Sequence, residues 1–309
     1  MRALVVTDFG ANPELLDIER PEPGAGEVRV RVRAASVNGF DTAVAAGYLK
    51  GMMEHRFPVV LGKDFAGEID AVGADVDGFA VGDRVFGVVT KAHLGDGSLG
   101  EYVTVPTAVG LATLPASIEF AEAASLGLAG AAAVAAFDAA EFTAGHAVLI
   151  VGATGGVGNQ VVQLAARAGA EVIATADATS EAHVRDLGAV EVIDYTGDVP
   201  AAVLAAHPGG VDVVVHLAGD PTALLSTVRP GGKFISTLIG SPDQLPSDAV
   251  TVLPIFANPT GDILNRLAGN QDNGDTKVTV QQTYPLENAA QALTDFSAGT
   301  VGKRVIVID

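Results

Sequence analysis

The sequence predicts an α/β protein in two parts: a small, barrel-like antiparallel β domain and a doubly wound parallel sheet of six strands. Three observations carry that expectation. The first 115 or so residues are short apolar pieces punctuated by Gly and Asp, the texture of closely turned antiparallel strands. From about residue 120, strand-like and helix-like segments alternate. At the head of that alternation, residues 147–158 read AVLIVGATGGVG, an apolar run that breaks into a glycine-rich loop just before a helix-compatible segment.

Taken in order, residues 27–33 (EVRVRVR) alternate strictly. Val28, Val30 and Val32 share one face; Arg29, Arg31 and Arg33 share the other. That basic face is expected to be solvated and paired with nearby acids rather than to bind a ligand. The pieces GEIDAVG, DGFAVGDRVFG and GEYVTVP continue the β domain. Two Ala-rich helical segments then lead into a strand over 147–151 and a helix over 159–167. Strands are expected at 171–176, 190–193, 211–216, 233–237 and 250–253, with a helix at 180–187. After residue 257 come a helix over 261–268, a polar loop (QDNGD), a strand over 277–280, a helix over 286–296 and a strand over 304–308. These last elements are too few for a domain of their own, so they are expected to return and complete the first. The predicted domains are therefore 1–119, completed by 258–309, and 120–257.

The loop of Gly152, Ala153, Thr154, Gly155, Gly156, Val157 and Gly158 is the candidate phosphate cradle. Glycines let the turn close and let backbone approach a ligand. The helix that follows presents unpaired N–H groups and the positive end of its dipole to an anion. Its register is Ala153-x-Gly155-x-x-Gly158, with Ala in place of the fingerprint's first glycine.

Composition narrows the partners. Against 37 Asp and Glu stand 18 Lys and Arg, a net charge of −19. Such a chain repels nucleic acid and anionic membrane, which need clustered cations. There is no cysteine, which excludes disulfides, thiolate metal sites and cysteine nucleophiles. The six histidines form no HxH or HxxxH pair, and each is expected in a surface or loop position. The Ala- and Gly-rich run 123–137 is shorter than the ~20 residues that a bilayer span needs. Asp8 interrupts the N-terminus before any signal-peptide core forms, so a cytoplasmic home is expected.

Several segments together resemble the zinc-less quinone oxidoreductase (zeta-crystallin-like) branch of the medium-chain dehydrogenase/reductase superfamily. They are SVNGFD (36–41), PVVLGKDFAGEIDAVGADVDGFAVGDRVFG (58–87), GSLGEYVTVP (97–106), VLIVGATGGVG (148–158), AVEVIDY (189–195), RPGGKFIST (229–237) and YPLENAAQAL (284–293). The resemblance implies a GroES-like β-barrel catalytic domain interrupted by a Rossmann domain, a cofactor in the cleft, and a homodimer joined through the Rossmann domains. It also implies hydride transfer from NADPH to a quinone or an α,β-unsaturated carbonyl (enone). The alternatives are an enoyl-thioester reductase of a biosynthetic pathway and a non-catalytic NAD(P)H-binding sensor.

Departures from zinc-dependent relatives are equally informative. Asn38 stands where they carry a cysteine ligand, Phe40 where they carry a relay hydroxyl, and Gly62-Lys63-Asp64 where they carry Gly-His-Glu. Zinc is therefore not expected. Lys63 and Asp64 are expected either to pair in the vacated space or to enter catalysis. Asn38 is a candidate for holding the cofactor ribose or the substrate carbonyl, the alternative being an Asx turn. Asp41 would support that loop. Tyr48 is a candidate hydrogen-bond donor to a developing enolate, or a packing residue. Asp177 falls where an acid accepts bonds from the ribose hydroxyls, which makes NADH the alternative cofactor. Thr179, Ser180, Arg185 and Tyr195 could instead gather round a 2′-phosphate. Ala218 and Phe256 complete the expected cofactor set, with Asn258 nearby. Ala132 and Val134 stand where relatives carry a Thr and a Tyr.

Overall fold

Alternation of Val with Arg makes residues 27–36 the central strand of a seven-stranded sheet. The valines are buried. On the other face Arg29 pairs with Glu22 and Asp70, and Arg33 with Glu68, while Arg31 is exposed.

The protein is described by a computed structural model covering residues 1–309. In chain order its elements begin with β1 (Arg2–Val6), β2 (Glu14–Asp17), β3 (Glu27–Ser36), α1 (Gly39–Ala45), β4 (Glu54–His55), β5 (Val59–Val60), β6 (Asp64–Val72), β7 (Arg84–Val88), β8 (His93–Leu94), β9 (Tyr102–Pro106), β10 (Leu111–Thr113) and α2 (Phe120–Ala123). Next are α3 (Gly127–Ala140), β11 (Ala147–Val151), α4 (Gly156–Arg167), β12 (Glu171–Thr175), α5 (Glu181–Asp186), β13 (Glu191–Ile193), α6 (Val199–Ala206), β14 (Val211–His216), α7 (Pro221–Leu225), β15 (Val228–Ser236) and β16 (Thr251–Pro254). The chain closes with α8 (Gly261–Asn273), β17 (Val280–Pro285), α9 (Ala289–Ser297) and β18 (Lys303–Val307).

Two compact units result. Met1–Ala131 together with Pro259–Asp309 forms one, and Ala132–Asn258 the other. In the first unit the sheet order is β10-β7-β6-β3-β18-β17, with β9 also pairing β3, and a smaller sheet runs β2-β1-β5. The returning strand β18 lies antiparallel to β3, with Ile306 opposite Ala35. Val28, Val30, Phe65, Val85 and Ile306 belong to its core.

The second unit is a six-stranded sheet, β13-β12-β11-β14-β15-β16, parallel throughout. Period-two alternation gives it two apolar faces. Val148, Ile150, Val172 and Val213 pack under Val161, Val162 and Ala165 of α4. Leu149, Val151, Ile173 and Val214 line the opposite core with Val203 of α6 and Leu224 of α7. Strand order reverses between β11 and β14, and in open α/β sheets ligands bind outside the carboxyl ends of strands at such a switch point.

Several boundaries differ from the sequence expectation. The polar stretch after residue 268 is the last turn of α8, not a loop; Gly274, at φ +78, ends the helix. The strand expected at 277–280 is instead β17, Val280–Pro285, an edge strand with only Tyr284 buried and so with little apolar period to read. β15 begins at Val228 rather than 233, its Pro-Gly-Gly segment absorbed at an irregular register against β14. Helices α1, α6 and α7 were not expected; each is short. His216, expected near the surface, is fully buried with Nδ1 2.8 Å from Ser236 Oγ.

The packing of α4 rests on Gly158. A Cβ there would lie 2.2 Å from the Gly152 carbonyl oxygen and 2.6 Å from Ala153 Cα. Both neighbours are backbone and cannot swing away. Gly158→Ala is expected to lower the unfolding free energy by about 1–3 kcal/mol, measured by denaturant titration. An unchanged midpoint would show that α4 is not pressed onto the turn.

Candidate functional site

β11 ends at Val151, and the chain turns at Gly152, whose φ of +89 is a left-handed value that favours glycine. Gly155, in extended backbone, is the N-cap of α4, and its N–H donates to the Gly152 carbonyl at 3.2 Å. Ala153 buries its methyl in the core, which accounts for Ala at the fingerprint's first glycine. The first N–H groups of α4 have no partner within the helix. With the helix dipole they form a site suited to a phosphate. Ala218 is exposed just beyond β14 and lies against the loop, since a Cβ on Gly152 would come 3.3 Å from its methyl. The residues at this switch point fit a dinucleotide: a cradle that side chains would fill and a helix N-terminus aimed past it.

The turn after β12 gathers Asp177, Thr179, Ser180 and Tyr195. Asp177 Oδ1 accepts from the Ser180 hydroxyl at 2.6 Å and N–H at 2.9 Å, and from the Thr179 hydroxyl at 2.8 Å and N–H at 3.1 Å. The Tyr195 hydroxyl donates to Oδ2 at 3.1 Å. Ser180 and then Thr179 are the main groups that hold this carboxyl well below the usual range, so it stays anionic. The three hydroxyl residues thus surround a carboxylate, and an incoming phosphate would meet that charge. Arg185 is not part of this cluster. Its guanidinium pairs with Glu181 at 2.8 Å and donates to the Val190 carbonyl at 3.2 Å. Phe256 and Asn258 are exposed beyond β16, and Ala132 and Val134 are buried in α3.

In the first unit the sequence SVNGFD brings Asn38 into a buried polar cluster. Asp64, at 0 % exposure, accepts from Ser36 Oγ at 2.9 Å, Asn38 Nδ2 at 2.9 Å and the Leu128 N–H at 2.7 Å. Lys303 Nζ lies 3.4 Å from the same carboxylate and donates to Asn38 Oδ1 at 2.6 Å and to the Val37 carbonyl at 3.0 Å. A buried charge pair is tolerable only when such bonds replace water. The Asn38 amide is therefore bonded within the protein at both ends.

Lys63 and Asp64 do not pair, because Lys303 takes that role. Lys63 donates to the Val89 carbonyl and sits 4.9 Å over the Phe40 ring; burial lowers its pKa. Asp41 accepts the Asn38 N–H at 2.8 Å, supporting α1, and burial pushes its pKa up to about 7. Tyr48 is 76 % exposed. No three His, Cys, Asp or Glu side chains are grouped to hold a metal, and with an amide and two lysines in this region the residues do not fit zinc.

Two positions escaped sequence reasoning. Lys303 had one signal, a lysine at the head of a strand, KRVIV, whose last three residues are apolar. Asn159 had another, an amide on the helix turn just after the last glycine.

Comparison with known proteins places the chain. The family described as "Alcohol dehydrogenase GroES-like domain" matches residues 24–116, and "Zinc-binding dehydrogenase" matches residues 187–306. The chain is 31% identical to the chloroplast envelope quinone oxidoreductase homolog of Arabidopsis thaliana, over 99% of its own length and 98% of the relative's. It is 36% identical to the chloroplastic NADPH-dependent alkenal/one oxidoreductase of the same plant, over 63% of this chain and 53% of that one. The solved quinone oxidoreductase from Coxiella burnetii superposes with a TM-score of 0.91 at 26% identity, covering 100% of this chain and 99% of that one. The protein belongs to the quinone oxidoreductase group of the medium-chain dehydrogenase/reductase superfamily, with a GroES-like unit and a Rossmann unit.

The Asp41 shift gives a stability expectation. Between the ordinary carboxyl value of 3.8 and about 7 the folded protein keeps a proton that the unfolded chain has released. Stability from this group is thus full below that window and is lost as pH rises through it, by about 4 kcal/mol in all. Asp41→Asn keeps an acceptor for the Asn38 N–H and should flatten the fall of Tm from pH 4 to 7.5. An equally steep fall in the variant would mean that Asp41 does not hold that proton.

Proposed function

We propose that this protein is a zinc-independent NAD(P)H-dependent oxidoreductase acting on a quinone or an α,β-unsaturated carbonyl. The observation that carries the reading is the Gly152–Gly158 cradle at the β11/β14 switch point, in a chain whose relatives bear those names. When bound, the nicotinamide supplies the hydride. The residues of this chain hold, orient and shield. The loop and the α4 N-terminus would take the pyrophosphate. Asp177, Thr179, Ser180 and Tyr195 would meet the adenosine ribose, and Ala218 and Phe256 would line the rest of the cofactor path. The Rossmann unit, 120–257 in the sequence reading, serves the cofactor and the GroES-like unit the substrate.

A conjugated acceptor needs no Lewis acid, because its own carbonyl delocalises the incoming charge. Of the two catalytic candidates, Tyr48 presents a solvent-facing phenol that can donate to a developing enolate. Asn38, held between Asp64 and Lys303, is a positioning group. Positioning and exclusion of water are what the protein adds. The proposal carries with it a homodimer joined through the Rossmann units and a cytoplasmic home. A net charge of −19 speaks against nucleic-acid and anionic-membrane partners.

NADPH is the proposed donor, supported by the NADPH-dependent relative. A second reading, NADH, is favoured by Asp177, an anionic carboxylate at the ribose position with no free cation beside it.

Purified protein should oxidise NADPH when offered a panel of quinones and enones, followed by loss of nicotinamide absorbance, and should keep that activity through extended chelation. No turnover with any acceptor, or activity restored only by zinc, would overturn the reading. Asp177→Ser should raise the NADPH-over-NADH ratio of kcat/KM by roughly tenfold. Arg185→Ala, whose parent side chain is held by Glu181, should leave the ratio within about twofold. An unmoved ratio in Asp177→Ser would show that this carboxylate does not face the ribose.

A further inference from the structure

Asn159, the residue after the last glycine of the loop, is 2 % exposed. Its Nδ2 lies 3.1, 2.9 and 3.1 Å from the carbonyl oxygens of Ala153, Thr154 and Gly155. An amide nitrogen can only donate, so these three acceptors fix which way the amide points. Its Oδ1 then faces the other way, 2.9 Å from His183 Nε2. That oxygen can only accept, so His183 must carry its proton on Nε2. His183 is half-buried, and burial lowers its pKa, which keeps the ring neutral with one N–H to give.

The loop's carbonyl oxygens are negative ends of peptide dipoles, and any of them turned toward a phosphate would repel it. Asn159 draws three of them toward its own buried amide, so that these oxygens are engaged within the protein. A chain of hydrogen bonds therefore runs from α5 through Asn159 to the cradle. The same short helix is capped by the Asp177 turn, since the Ser180 and Glu181 N–H groups donate to the Asp177 carbonyl. α5 thus ties the ribose end of the site to the pyrophosphate end.

We propose that His183 is a positioning residue for the pyrophosphate: it holds the Asn159 amide in the one orientation that gathers the carbonyls of Ala153, Thr154 and Gly155 away from the ligand. The proposal rests on the dinucleotide reading of the Rossmann unit.

His183→Phe keeps an aromatic ring and removes the donor. His183→Gln returns an N–H near the place of Nε2. Binding is read by fluorescence titration with NADH and NADPH, and by displacement with ADP and with adenosine. The Phe variant should bind the dinucleotides and ADP about tenfold more weakly, the loss of roughly one hydrogen bond. Adenosine, which has no phosphate, should change less than twofold, and the Gln variant should recover to within about threefold of the parent. Parent-like binding by the Phe variant, equal weakening of adenosine and ADP, or a Gln variant as poor as Phe would each overturn the proposal. Histidine 1H–15N spectra of the unaltered protein test it without any variant: His183 should be the Nε2–H tautomer, and an Nδ1–H tautomer overturns it. If the unaltered protein bound neither NADH nor NADPH, the dinucleotide reading would fall and this proposal with it. If it bound them and His183→Phe bound them as well, only this proposal would fall.

Discussion

The close approach of α4 to the turn after β11 is the constraint on which the ligand-binding end of the Rossmann unit depends. A residue with a Cβ at 158 would force the turn to shift, because the Gly152 carbonyl occupies the place that a methyl would take. That contact sets the helix directly behind the end of the strand. It aims the helix N-terminus past the carboxyl edge of the sheet, beside the point where strand order reverses. Asn159 Nδ2 then lies within hydrogen-bond distance of three loop carbonyls. The proposed phosphate site rests on backbone geometry more than on side-chain charge, in a chain with a large excess of acids.

The GroES-like unit depends on a different solution to burial. Its sheet is completed by a strand that returns after the whole Rossmann unit, and the first residue of that strand, Lys303, enters the interior with its charge. Asp64, Asn38 and the Val37 carbonyl take up the ammonium, while Ser36 and Leu128 complete the carboxylate. Removing either charge would strand the other, so the cluster joins β3, β6, β18 and the start of α3 as one structural unit. It also explains why this region does not resemble a metal site: cation, amide and carboxylate satisfy one another.

Asp177 shows one carboxylate with two duties. Oδ1 is spent on Ser180 and Thr179 and so shapes the entry to α5, while Oδ2 carries a single protein bond, from Tyr195. The turn-capping role and the proposed ribose-reading role would not compete, since they would use different oxygens. Relatives of the same fold include an NADPH-dependent enzyme, so the proposed cofactor choice would lie in this turn and not in the fold.

The sequence by itself determined the architecture and the place of the glycine turn between β11 and α4. Strict alternation in EVRVRVR, the apolar run before GATGGVG and the steady succession of strands and helices are local patterns with a fixed geometric meaning. The absence of cysteine settled the thiolate chemistry just as directly. Most short or edge elements were not legible: of α1, α5, α6 and α7 only α5 was expected, and β17 buries too little to alternate. Partnership was decided only by tertiary structure. Nothing in Gly62-Lys63-Asp64 shows that Lys63 would turn to Val89 and Phe40 while Asp64 took a lysine 239 positions away. Nor does Arg185 reveal in sequence that Glu181 would claim it, or His183 that it would reach Asn159 across the packed face of the sheet's helices. Periodicity fixes which way a residue faces along its own element. Which groups meet inside is fixed by how elements remote in the chain pack, because every buried polar atom must find its bond wherever the fold supplies one.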